Sequence, residues 1–165
     1  IKNLDKVRSS SLILQTDASK TKQIPSNLVT LTVTSPPFLD IVNYAQDNWL
    51  RCWFNDIDLE NLAKKITMSK NIEDWSAKMS AVFKELNRVS KAQGIVAFEV
   101  GEIRNGKIKL EDHIIPVAEN NGFKVKEIMI NKQNFTKTSN IWGVSNNQGG
   151  TNTNRIVLLE KTNNL

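Results

Sequence analysis

Two apolar strands bracketing one long amphipathic helix leave this chain few folds to choose from. The first strand, Leu31-Thr32-Val33-Thr34, runs straight into Ser35-Pro36-Pro37-Phe38. Between residues 72 and 91, Trp75, Met79, Val82, Phe83, Leu86 and Val89 recur on one stripe at helical spacing. Gly94 then introduces Ile95-Val96-Ala97-Phe98-Glu99-Val100, a near-continuous apolar run of the kind buried in a parallel sheet. Strand, helix, strand in this order is the start of a doubly wound α/β sheet.

The C-terminal third extends the pattern. Residues 111–121 read as a helix with Ile114, Ile115, Val117 and Ala118 inward, and Gly122 suits its end. Pro116 falls inside that helix, so a late start or a kink is expected there. Residues 124–130 alternate polar and apolar as a half-exposed strand does, and residues 154–160 form another apolar strand. The connection between them, 131–153, is long and rich in Asn, Thr, Gly and Ser, which in a compact domain marks a functional or disordered loop.

The junction at Ser35 carries the chemistry. Two consecutive prolines fix φ and remove two backbone donors, so the strand has to stop and its last carbonyls must point away from a neighbouring strand. Ser35 supplies a hydroxyl, Ser35 and Pro36 supply carbonyl acceptors, and Phe38 supplies a flat apolar face. That set suits a planar ring with an exocyclic amino group, although four residues alone also describe a strand ending in a Pro-Pro turn. The block Ser35-Pro36-Pro37-Phe38 resembles the catalytic motif of S-adenosylmethionine-dependent DNA amino-methyltransferases, and its leading Ser is similar to the cytosine-N4 branch rather than the adenine-N6 branch. Gln15-Thr16-Asp17-Ala18, after the apolar run 11–15, resembles the segment that lies near the cofactor's adenine in that family. By residue type alone, Asp17 is more often a turn or capping residue. Residues 38–44 and 151–155 also look like segments of one group of bacterial DNA methylases.

The resemblance runs from about Leu12 to Lys161. It implies a class I (Rossmann-like) methyltransferase sheet with an antiparallel C-terminal hairpin, S-adenosylmethionine as cofactor, and DNA methylation of the restriction-modification kind. Ser35, Pro36, Pro37 and Phe38 would form the catalytic block, and Asp17 would contact the cofactor. One departure matters: the family's Phe-x-Gly-x-Gly loop appears nowhere, because the 7 glycines, at 94, 101, 106, 122, 143, 149 and 150, never fall in that pattern after a strand. In the family that loop's strand and the next lie between the strand expected at 11–15 and the one ending at Thr34. The chain therefore reads as a partial domain over 1–165, the C-terminal part of a longer protein or one half of a split enzyme whose other polypeptide carries the glycine-rich loop. The alternatives are adenine-N6 methylation by the same pocket chemistry and a non-catalytic nucleic-acid-binding remnant of the fold.

Composition narrows the rest. With 165 residues, 39% hydrophobic and 24% charged, the sequence suits one domain. No apolar run approaches the roughly 20 residues that cross a bilayer, so no membrane partner is expected. One Cys excludes an internal disulfide and fits a reducing cytoplasm, and one Cys with one His excludes a conventional zinc site, so no metal is expected. Cys52, between Arg51 and Trp53, reads as a buried helical thiol rather than the Pro-Cys nucleophile of cytosine-C5 enzymes. His113 reads as a surface or capping residue, and Glu99 and Glu102, at a strand's C-terminal end, either line the site or open a turn. A net charge of +5 and an isoelectric point near 9.4 favour an anionic partner. Lys132, Lys137 and Arg155 border the long polar loop that holds Phe135 and Trp142. Lys132, Lys137, Trp142 and Arg155 are the candidate DNA contacts, through phosphate pairing and stacking.

Overall fold

The computed structural model describes residues 10–37, 39, 47–65, 71–103, 107–132 and 153–162. In chain order these hold β1 (Val29–Thr34), α1 (Trp49–Phe54), α2 (Leu59–Lys65), α3 (Ile72–Val89), β2 (Ser90–Ile103), β3 (Ile108–Lys109), α4 (Leu110–Asn120), β4 (Phe123–Lys132) and β5 (Thr153–Lys161). The main sheet has the order β1-β2-β5-β4, with β3 paired to β2 beside it. β1 and β2 are parallel, joined through α3, whereas β5 runs antiparallel to both β2 and β4. This is the doubly wound sheet with its C-terminal hairpin that the sequence leads one to expect.

Helix α3 forms where its stripe dictates. Asn71 caps it, its side chain accepting from the Glu73 amide at 2.8 Å, and Glu73 and Asp74 sit in the first turn where the helix dipole favours them. Trp75, Met79, Phe83 and Val89 are buried. Phe83 stacks between Phe98 of β2 and Phe123 of β4, with centroids 4.8 and 5.8 Å away. Leu110, Ile114 and Ala118 of α4 join this cluster with Val96, Val100, Val157 and Leu159, so both helices cover the same face of the sheet. Cys52 is buried within α1, while Trp49, Trp53 and Phe54 of that helix face outward. No helix among the described residues is long and apolar enough to cross a membrane.

Three details differ from the sequence reading. The run 11–15 is irregular, with Leu12 67% and Ile13 96% exposed, because no strand among the described residues lies where it could pair. β2 begins at Ser90, before Gly94: Val29 pairs with Ser90 and Leu31 with Ile95, so residues 91–94 bulge out. Gln93 takes a φ of 60° there, and a Cβ on Gly94 would stand 2.9 Å from the Lys91 carbonyl and 3.0 Å from that of Val29. Pro116 neither delays nor ends α4; it lies inside the helix on an exposed position, where the carbonyl it leaves without a donor can meet water. As expected, Gly122 follows that helix with φ 82°, its amide donating to the Glu119 carbonyl.

Candidate functional site

The Ser35 block lies at the carboxyl end of β1, beside the carboxyl half of β2, since Thr34 pairs with Phe98. In open parallel sheets this is where ligands bind. Ser35 is exposed, and Pro36 and Pro37 are half-buried. Two anchors hold the turn after the strand. The Trp75 indole, wholly buried in the first turn of α3, donates from Nε1 to the Pro37 carbonyl at 2.9 Å. Two residues on, Leu39 is 1% exposed and part of the core. Phe38, between those anchors, lies outside the described residues. With the Pro37 carbonyl taken by Trp75, the acceptors left to face a ligand are the Ser35 hydroxyl and the carbonyls of Ser35 and Pro36. Sequence reasoning placed Trp75 on the buried stripe and missed its second role, for which no local signal exists.

Asp17 follows no strand among the described residues. Its Oδ1 accepts from the Ser19 amide at 2.8 Å and the Ser19 hydroxyl at 2.6 Å, an Asx-type turn, and those bonds hold its carboxyl below the usual range. It also lines a cleft of about 570 Å³ with Gln15, Thr16, Ile57, Asp58, Asn61 and Leu62. Two carboxylates and two side-chain amides in one cleft offer acceptors for ribose hydroxyls and an adenine amino group. Among the described residues that lining holds no glycine-rich turn and no cation for a carboxylate, so its acceptors fit the nucleoside end of S-adenosylmethionine rather than its methionine end.

Behind that segment, Glu85 accepts from the Thr21 amide and hydroxyl at 2.8 and 2.6 Å and pairs with Arg88 at 2.7 Å. Arg88 in turn donates to the Thr21 carbonyl and the Ser26 hydroxyl. The network ties residues 21–26 to the end of α3, and chiefly the Arg88 bond holds the Glu85 carboxyl down to about 2.

Arg155, expected at the DNA, is buried instead. Its Nη1 meets Glu102 at 3.1 Å and its Nε meets Glu111 at 2.5 Å, with all three side chains less than a fifth exposed. The second contact is an ion pair rather than an aligned hydrogen bond. Burial pushes the Glu111 carboxyl above its ordinary value against the pull of Arg155. Glu102 thus faces Arg155 rather than an open mouth, and helps pin β5 to the end of β2. His113 is half-buried in α4. Lys137, Phe135 and Trp142 lie outside the described residues, as does the Lys132 side chain.

No protein-family model matches the sequence, and no curated protein matches it either. Solved structures do. The fold is that of class I methyltransferases. A protein of Thermus thermophilus assigned as a DNA modification methylase aligns with 90% of this chain and 51% of its own at a TM-score of 0.54 and 19% identity. Its complex with S-adenosyl-L-methionine gives a TM-score of 0.55 at 18% identity, over 90% of this chain and 52% of that one. The chain therefore spans about half the length of these structures.

Proposed function

We propose that the chain is the catalytic-motif half of an S-adenosylmethionine-dependent DNA methyltransferase that modifies the exocyclic amino nitrogen of a flipped base, cytosine-N4 in preference to adenine-N6. The observation that carries this reading is the Ser35-Pro36-Pro37 turn at the carboxyl end of a parallel strand, with its third carbonyl fixed by Trp75 at 2.9 Å.

The amino nitrogen of cytosine is a poor nucleophile because its lone pair is delocalised into the ring. Hydrogen bonds from its two N–H groups to Ser35 Oγ and the Pro36 carbonyl favour a pyramidal nitrogen with a localised lone pair. The bound cofactor supplies the electrophilic methyl. The protein's share is positioning and electrostatics, with no covalent enzyme intermediate. A base inside a duplex cannot reach Ser35, so it is flipped out and stacks on Phe38. Proton loss runs through Ser35 or water. Asp17 takes the cofactor's nucleoside end, and the glycine-rich loop for the other end comes from polypeptide beyond these residues. Lys132, Lys137 and Trp142 contact the DNA backbone and bases, while Arg155, being buried, acts through the position of β5.

The test is mass spectrometry of nucleosides from DNA treated with the full-length protein and S-adenosylmethionine. N4-methylcytosine is the expected product. N6-methyladenine would move the target to adenine, and unmodified DNA would leave the second reading, a nucleic-acid-binding remnant, which the missing glycine loop favours.

A further inference from the structure

Helix α1 shows its apolar side chains to the outside. Of Trp-Leu-Arg-Cys-Trp-Phe, only Cys52 is buried. Trp49, Leu50, Trp53 and Phe54 are 58%, 55%, 73% and 80% exposed, and Ile57, just past the helix, is exposed as well. At about 100° per residue, the four helical side chains share one face roughly 140° wide, turned away from Cys52. Single apolar residues on a surface are ordinary, whereas two indoles, a phenyl ring and a leucine side by side are not. Taking about 150–250 Å² for a large aromatic side chain, the four expose roughly 400–600 Å², the size at which a surface patch is often functional.

The rim of this patch is acidic. Asp47 before the helix and Asp56, Asp58 and Glu60 after it are all exposed, and Arg51 is the one cation between residues 47 and 60, in a chain whose net charge is +5. Arg51 is turned onto the Asn48 carboxamide at 2.6 Å. The Asp56 amide donates to the Trp53 carbonyl at 3.3 Å, which sets that carboxylate directly after the second indole. That charge decides what fits. The phosphates of a nucleic acid or of an anionic lipid surface are repelled. A second copy docked about a two-fold axis would set carboxylates against carboxylates.

From these observations we propose that α1 is a docking site for a segment of another protein in which Arg or Lys is set among apolar residues. Its apolar side chains cover Leu50 and Phe54. Its cation lies over an indole of Trp49 or Trp53, the ring that attracts a cation best, with the Asp47 or Asp56 carboxylate beside it. The exposed area is below the roughly 800 Å² per partner of a standard interface, so the occupant is a short segment rather than the flank of a whole domain. Ile57 also lines the cleft with Asp17 and Asp58, so a segment seated on α1 borders that cleft. Neither the patch nor its rim depends on the reaction proposed above.

Site-specific photocrosslinking tests this in the organism's own cells, on the protein at its natural length and level. Phe54→p-benzoylphenylalanine places the probe in the patch, and the same residue in place of Lys84, exposed on α3, serves as control. Crosslinking should be about tenfold stronger at position 54 than at 84. Peptide mass spectrometry should place the adduct in another protein, within a segment of net positive charge that mixes Arg or Lys with apolar residues. Adding Asp47→Lys and Asp56→Lys together should cut the yield about tenfold. Both positions are exposed, so the reversal leaves folding intact, which circular dichroism verifies, and Asp47→Asn with Asp56→Asn should lower the yield in the same direction. An adduct within the protein's own sequence, on nucleic acid, in a neutral or acidic segment, or none at all would overturn the proposal, as would a yield that charge reversal leaves unchanged. Failure to find a methylated base while the crosslink persists would strike the proposed function alone.

Discussion

Trp75→Phe separates two roles that one side chain plays. The indole is wholly buried and its Nε1 holds the Pro37 carbonyl at 2.9 Å, so the substitution removes one hydrogen bond and about a third of a buried ring system. The lost bond is worth about 1 kcal/mol net, and somewhat more if the half-buried carbonyl finds no water. The lost ring atoms add about 1–2 kcal/mol for transfer and residual cavity. Together these predict a loss of about 2–3 kcal/mol, a factor of roughly 30–150 in the folding equilibrium, read as a lower urea midpoint at unchanged slope. Phe83→Leu, a core change on the same helix, should cost a similar amount by packing alone. The discriminating readout is nuclear magnetic resonance. The Trp75 indole proton should exchange far more slowly than those of Trp49 and Trp53, which are 58% and 73% exposed, and the Pro37 carbonyl resonance should move in Trp75→Phe but not in Phe83→Leu. An indole proton at Trp75 that exchanges as fast as the other two, or a loss below about 0.5 kcal/mol, would refute the anchoring of the turn.

Ser35→Ala should lower methyl transfer by about 10²–10³-fold, as removal of one oxyanion-hole donor does, with an unchanged melting temperature; full activity would remove Ser35 from the mechanism. The 165-residue chain alone should bind S-adenosylmethionine weakly or not at all by calorimetry, since the methionine end lacks a cradle. Glu85 has a carboxyl held near 2 when folded against an ordinary 4.5, so its contribution is present above pH 4.5 and lost as pH falls toward 2. Glu85→Gln should therefore cost about 1–3 kcal/mol at pH 7 and much less at about pH 2.5, and equal losses at both would show that the charge is not what ties residues 21–26 to α3. Changing Lys132 and Lys137 together to Ala should weaken binding about equally on specific and random duplexes and reduce the salt slope by roughly two.

Elements whose stabilising partners lie among the described residues were legible from residue patterns, and a run without one there was not. The α3 stripe announces one buried face, and Phe83 finds Phe98 and Phe123 across it. The run Leu12-Ile13-Leu14 has the composition of a strand but no neighbour among the described residues to pair with, so Leu12 and Ile13 stay exposed. Composition sets what a segment could bury, and only the neighbouring strand decides whether it does. Pro116 shows the converse, since a helix packed through Leu110, Ile114 and Ala118 holds against a residue that lowers its intrinsic stability.

Arg155 shows why a candidate site is harder to read than a fold. An arginine opening a strand after a polar loop carries the same local sequence whether it points to DNA or to the interior. What decides is the pair of carboxylates that tertiary structure brings to it, Glu102 from β2 and Glu111 from α4, both far away in sequence. Once buried between them the guanidinium cannot be withdrawn cheaply, because removing one partner leaves a desolvated charge uncompensated. Arg155→Ala should accordingly act on stability first, by about 3–5 kcal/mol if both carboxylates stay ionised. Glu111, already pushed toward its neutral form by burial, should then be pushed further in the same direction, and taking up a proton would recover part of that loss. A denaturation series from about pH 5 to 8 would show the variant gaining stability relative to the parent as pH falls. A constant difference across that range would mean that Glu111 stays charged without Arg155, and that the pair is worth less than its burial implies.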